Sequence, residues 1–197
     1  MLNHSGTKLR GVLDGTRVED LTEAERYSRH QAIEIILALR EYGGPAFAHV
    51  QLAATGPQVG VRETRRVKGL YILTEADALE GRRFSDAIAW RSGMLDIGFT
   101  RYEPMKVHDV PYRALVPETV DGLLTAGRCI SATHVAASAG KSMGNCVATG
   151  HAAGLAAALS IGHGCHPRDL DVHAVQAALR ADGVDLAWNP PSTYNAK

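Results

Sequence analysis

Residues 121–160 read DGLLTAGRCISATHVAASAGKSMGNCVATGHAAGLAAALS, and the fold class turns on this stretch. It predicts a short apolar strand over 122–127, a Gly127-Arg128 turn, a loop of small residues, and a long Ala/Gly helix over about 145–161. Small residues let backbone come close to something flat or charged. A helix opening at Gly144-Asn145 presents free backbone N–H groups and the positive end of a helix dipole. Such an end suits an anion or an electron-rich ring edge. Gly150, Gly154 and Ala157 or Ala158 share one face of the helix, so a strand or a cofactor can pack closely there.

Working outward, a helix is expected from Leu21-Thr22, with Ala32, Ile33, Ile35, Ile36, Leu37 and Leu39 as its apolar stripe and an end near Tyr42-Gly43-Gly44. Residues 47–52 alternate as a strand, 59–67 read as extended, and 70–73 as another short strand. Thr74 is placed to cap a short helix that ends near Glu80. Residues 87–90 fit a strand or a buried turn, and 111–117 a strand bracketed by prolines. Gly162-His163-Gly164 stops the long helix, and 172–181 forms a last amphipathic helix capped by Asp171. The expected fold is α/β, more closely mixed α+β, with an incomplete dinucleotide-type sheet. The expected divisions are a flexible segment over 1–20, helix plus strands over 21–110, a cofactor-domain part over 111–183, and a tail over 184–197.

The chain has 197 residues, 45% of them hydrophobic and 21% charged, which is ordinary globular composition. Lys plus Arg balances Asp plus Glu at 21 each, which argues against a nucleic-acid partner. Three cysteines, Cys129, Cys146 and Cys165, without C-x-x-C spacing point to a reducing, cytoplasmic compartment. No signal-peptide pattern opens the chain. The apolar run over 146–162 contains Thr149, His151 and Ser160 and reads as a buried helix of a soluble protein, with no membrane partner expected. His163, Cys165, His166 and His173 match no zinc spacing, so no metal is expected.

At residues 121–160 the chain resembles the C-terminal flavin-binding segment of the FAD-dependent oxidoreductase family. The likeness extends over roughly 20–180 and is best at 57–83 and 111–160. Complete members begin with a strand and a G-x-G-x-x-G turn that grips the FAD pyrophosphate. No such motif occurs in this sequence. The resemblance therefore implies a C-terminal half or small subunit, with FAD as cofactor. Its partners are a chain or segment carrying the G-x-G-x-x-G half and a small organic substrate. The implied reaction is hydride transfer between that substrate and flavin. The alternative is a truncated, non-catalytic relative that serves as a structural or interaction module.

The same resemblance implies roles residue by residue. Gly127 and Arg128 stand at the turn after the last strand of the cofactor domain, where a guanidinium reaches phosphate or ribityl oxygens. Lys141, Met143, Gly144 and Asn145 fall where the family shows Arg-x-Met-Pro-Thr-Cys; Met143 and Cys146 match, while Lys141 and Gly144 replace Arg and Pro. Gly150 continues the cofactor-facing helix. His134 is the acid–base candidate, and Arg113, in Pro-Tyr-Arg, the candidate for holding a substrate carboxylate. For His134 and Arg113 the competing reading is structural: a hydrogen-bonded histidine and a salt-bridged arginine.

Overall fold

A computed structural model describes residues 13–96 and 102–187, and it divides into two compact units, Met1–Arg65 and Arg66–Lys197. The first unit is built on helix α1, Val18–Tyr42, which opens three residues before Leu21, with Glu19 and Asp20 in its first turn complementing the dipole. Its sequence stripe is only half covered, and Ala24 is its buried residue. Polar ties hold the returning chain: Arg29 reaches Thr55 Oγ1 and the Gly56 carbonyl, Arg40 Nε donates to the Val50 carbonyl (2.9 Å), and Glu25 accepts the Val59 N–H. The strand expected over 47–52 does not form. Gly44 takes φ +77° and Pro45 opens a 3-10 turn, Pro45–Phe47, so the chain coils where a strand would need a neighbour.

The second unit holds the core. Helix α2, Glu75–Glu80, begins with a full capping box: the Asp77 N–H donates to Thr74 Oγ1 (3.3 Å), and Asp77 Oδ2 accepts the Thr74 N–H (2.8 Å). Strands β1, Ala87–Asp96, and β2, Tyr102–Pro111, pair antiparallel with Ala87 opposite Pro111 and Arg91 opposite His108. Irregularities at 87/89 and 91/93 bend the ladder. Helices α3 (His134–Ala139), α4 (Met143–His163) and α5 (Val172–Ala181) follow. Leu73, Ile88, Val110, Leu115, Val116, Ala152, Ala156, Val175 and Leu179 form one buried cluster that joins the hairpin to α4 and α5.

The strand expected over 111–117 is instead a 3-10 turn, Tyr112–Ala114. Pro111 and Pro117 cannot donate to a ladder, and Asp86 captures both the Arg113 N–H (3.3 Å) and its guanidinium. Residues 122–126 join no ladder either; Thr125 N–H donates to the Leu115 carbonyl (2.9 Å). Residues 70–73 contribute one parallel bridge, Leu73 to Ala132. Strand β2 was illegible in the sequence because its buried positions include His108 and Asp109, which are satisfied across the fold. Asp109 pairs with Arg83 (2.7 Å) and accepts the Phe84 N–H (3.0 Å).

His108 and Arg91 are buried side by side. Nδ1 of His108 lies 3.0 Å from the Lys106 carbonyl, which assigns its proton there and leaves Nε2 to accept from Arg91 Nε (2.9 Å). Arg91 also donates to the Ala136 carbonyl (3.3 Å). Burial, reinforced by the Arg91 charge, pushes His108 down to about 4. Between the ordinary histidine range and that value the unfolded chain binds a proton that the folded chain refuses. Stability present at neutral pH is therefore lost as pH falls towards 4, by roughly 3 kcal/mol. Urea unfolding of the wild type and His108→Gln at pH 7 and pH 4.5 reads this directly: the variant loses part of the pH dependence. Identical dependence in both would remove His108 as its source.

Candidate functional site

The site is assembled from the 127–150 region. Residues 130–133 are held beside Leu73: Leu73 N–H donates to the Ser131 carbonyl (3.1 Å) and Thr133 N–H to the Leu73 carbonyl (2.8 Å). Thr133 Oγ1 then caps α3 by accepting the Ala136 N–H (3.3 Å), which puts His134 on the exposed first position of that helix. The end of α3 is tied to the start of α4 by Asn145, whose Nδ2 donates to the Ala139 carbonyl (3.2 Å) and to Ser142 Oγ (2.9 Å). Ser142 is the N-cap of α4 and accepts the Asn145 N–H (3.4 Å). The helix therefore opens at Met143, one residue before the expected Gly144.

The Gly127–Cys129 segment is a 3-10 turn set against this helix start. Gly127 takes φ +73°, and a Cβ added to it would stand 3.4 Å from Cys146 Sγ, so this turn needs a glycine. Its N–H donates to Thr149 Oγ1 (2.9 Å). The tertiary structure thus brings Gly127 and Arg128 to the first turns of α4, where Met143, Gly144 and Asn145 lie, with Lys141 just ahead of the cap. Met143 and Gly144 are exposed, and open space surrounds the Cβ positions of Gly144 and Gly150. The Asn145 N–H expected to be free is taken by the Ser142 cap, so of the expected pair only the Gly144 N–H, joined by that of Met143, is left without an intrahelical acceptor.

Arg113 belongs to a different cluster. Its Nε and Nη2 grip both oxygens of Asp86 (2.9 and 3.2 Å), and its guanidinium lies 5.3 Å from the Tyr71 ring centre. The hydrogen bonds that Arg113 donates to Asp86 raise its pKa. Tyr71 OH donates to Asp77, which is fully buried and also pairs with Arg82 (3.1 Å). Burial raises the Tyr71 hydroxyl above the ordinary phenol range. Arg113 is about half exposed beyond its Asp86 contact.

A profile of the FAD dependent oxidoreductase family matches residues 2–179. The chain belongs to the FAD-dependent oxidoreductase family. No curated protein and no solved structure matches it. FAD is the cofactor of this oxidoreductase family, and the fold is a mixed α/β one with a two-stranded antiparallel sheet, consistent with part of a flavin-binding fold. At Gly144 a Cβ would meet open space, so the bare backbone there leaves room for a flat group such as a flavin edge, whereas the Cβ direction of Gly127 is taken by Cys146. Among the described residues, no helix is long and apolar enough to cross a membrane and no group of three metal-ligating side chains occurs.

Two residues of the site were passed over in the sequence reading. Ser142 was legible as an N-cap three residues before Asn145. Thr149 carried no sequence signal, because its partner lies 22 residues away.

The two glycines should respond oppositely to alanine. Gly144→Ala meets open space in a helix and should raise stability by about 0.5–1 kcal/mol. Gly127→Ala, at positive φ, should lower it by about 1–2 kcal/mol. Thermal unfolding of the two variants would show a gain and a loss relative to wild type; two gains would contradict the turn geometry.

Proposed function

We propose that this chain is the C-terminal, ring-facing part of an FAD-dependent oxidoreductase. It acts in hydride transfer between a small organic substrate and flavin. It does so when assembled with a chain or segment carrying the G-x-G-x-x-G half. The observation that carries this reading is the outward face of α4. Residues 143, 147, 150, 154, 157 and 161 recur at alternating spacings of four and three, which places them in one stripe. All are apolar or glycine and exposed, Met143, Val147 and Ile161 at 86%, 71% and 83%. Ala152 and Ala156 on the opposite side are fully buried. An exposed apolar stripe of this length marks an interaction surface. At its far end Ala157 and Ile161 line one pocket with Gly122, and Val120 and Leu123 beside Gly122 are exposed too.

FAD, when bound, supplies the hydride acceptor. The chain's own residues supply placement and charge. The α4 N–H groups, Arg128 and Lys141 concentrate positive potential where negative charge accumulates on reduction. His134, exposed at the start of α3, is the group positioned to take or give a proton. Arg113, anchored by Asp86, is positioned to orient a substrate carboxylate. A second reading, a non-catalytic interaction module, draws on Lys141 and Gly144, which stand where the family pattern has Arg and Pro.

The purified chain should be colourless. Mixed with the G-x-G-x-x-G half it should acquire a flavin absorption spectrum; assembly without flavin uptake would select the interaction module. Gly154→Leu should leave folding of the isolated chain intact, because its Cβ position is open, yet weaken assembly at least about tenfold. Unchanged assembly would remove this face from the interface. In the assembled enzyme, Lys141→Met should lower the flavin reduction potential by about 30 mV, equivalent to a tenfold shift in the two-electron equilibrium. An unchanged potential would place Lys141 outside the site.

A further inference from the structure

The Thr149 hydroxyl joins two pieces of backbone that are far apart in sequence. It donates to the Asn145 carbonyl (2.8 Å), with the Cys146 carbonyl a longer alternative (3.3 Å), and it accepts the Gly127 N–H (2.9 Å). A hydroxyl has one proton and two lone pairs, so these bonds are compatible and use it on both sides. The side chain is 2% exposed, so water does not compete. A threonine inside a helix commonly bonds only its own preceding turn. Here it has a second, tertiary partner, and that partner is the N–H of the positive-φ glycine whose carbonyl side leads into Arg128.

We propose that Thr149 is a positioning residue for the flavin: it sets the Gly127-Arg128 turn at a fixed distance from the α4 N-terminus. This rests on the flavin reading above. The site's positive groups come from two separate segments, the turn (Arg128) and the helix start (the α4 N–H groups, with Lys141 before them). A flat, rigid ligand responds to their separation, because a donor shifted by a fraction of an ångström loses alignment. The side of Gly127 where a Cβ would stand faces Cys146, so turn and helix lie next to each other. The Thr149 bond limits how far they separate and also fixes the orientation of the Gly127 peptide. The Thr149 hydroxyl accepts the Gly127 N–H and is the specific part of this clamp.

The test compares Thr149→Val, which keeps shape and removes the hydroxyl, with Thr149→Ser, which keeps the hydroxyl. The first readout is amide hydrogen exchange at Gly127 in the isolated chain, which requires no flavin. The second is FAD affinity, by fluorescence titration, together with the reduction potential of the assembly with the G-x-G-x-x-G half. Valine should remove Gly127 protection and weaken FAD binding about tenfold, with a shifted potential; serine should restore both. Should the valine variant fail to fold, Thr149→Ala serves in its place. Lost Gly127 protection with unchanged FAD affinity and potential would make Thr149 merely structural and overturn the proposal. Unchanged protection in the valine variant would overturn it at the first step. If the wild-type assembly takes up no FAD, the flavin reading itself fails, and the positioning role falls with it.

Discussion

The second unit hinges on a guanidinium that has been taken out of water. Arg91 is buried in the β1–β2 hairpin, where burial alone pushes its pKa down to about 10. A buried charge is tolerated only when hydrogen-bond acceptors are aimed at it. His108 from the facing strand supplies one and Ala136 of α3 supplies another, so a single side chain binds both strands to the helix. Gly140 completes the arrangement, because a Cβ there would come within 2.3 Å of Arg91 Nη1. Strand, strand and α3 must therefore meet in one geometry. The end of α3 in turn sets the start of α4 through Asn145. The electrostatic requirement in the core is passed, bond by bond, to the edge of the site.

A second set of polar ties fixes the other side of the hairpin. Gln176 Nε2 on α5 donates to the Ser85 and Ala87 carbonyls (2.8 and 3.0 Å). Trp90 Nε1 donates to the Asp185 carbonyl (2.8 Å). Tyr112 OH donates to the Pro167 carbonyl (2.8 Å), and burial pushes that hydroxyl up to about 12. The Gln176 and Tyr112 bonds satisfy groups that the apolar cluster would otherwise strand without water, while the Trp90 bond lies at the surface. With α5 and the hairpin so placed, α4 has one partnered side, through Ala152 and Ala156, and one open side. The open side holds glycines and large apolar residues together. That combination permits backbone approach and rewards it with burial.

Function in this family needs a flavin held between groups from distant parts of a chain. The Gly127-Arg128 turn and the α4 start, the segments proposed for that role, meet through Thr149. The acid–base and substrate candidates stand apart from it in the chain's own bonding, His134 on the exposed start of α3 and Arg113 in the Asp86–Tyr71 cluster.

Where bonding is local, the sequence by itself determined this protein. Thr74 and Asp77 cap α2, Asp171 caps α5, and Gly164 at positive φ ends α4 because nothing beyond a few neighbours is involved. The tertiary structure decided whatever needed a distant partner. Residues 47–52, 112–116 and 122–127 have strand-like composition but no ladder, since a strand is stabilised by its neighbour and not by its own residues. Strand β2 formed although His108 and Asp109 spoil its pattern, because Arg91 and Arg83 across the fold satisfy them. Thr149 acquired its role only when folding brought Gly127 to its hydroxyl, a hydrogen bond that depends on position and leaves no periodicity in the sequence.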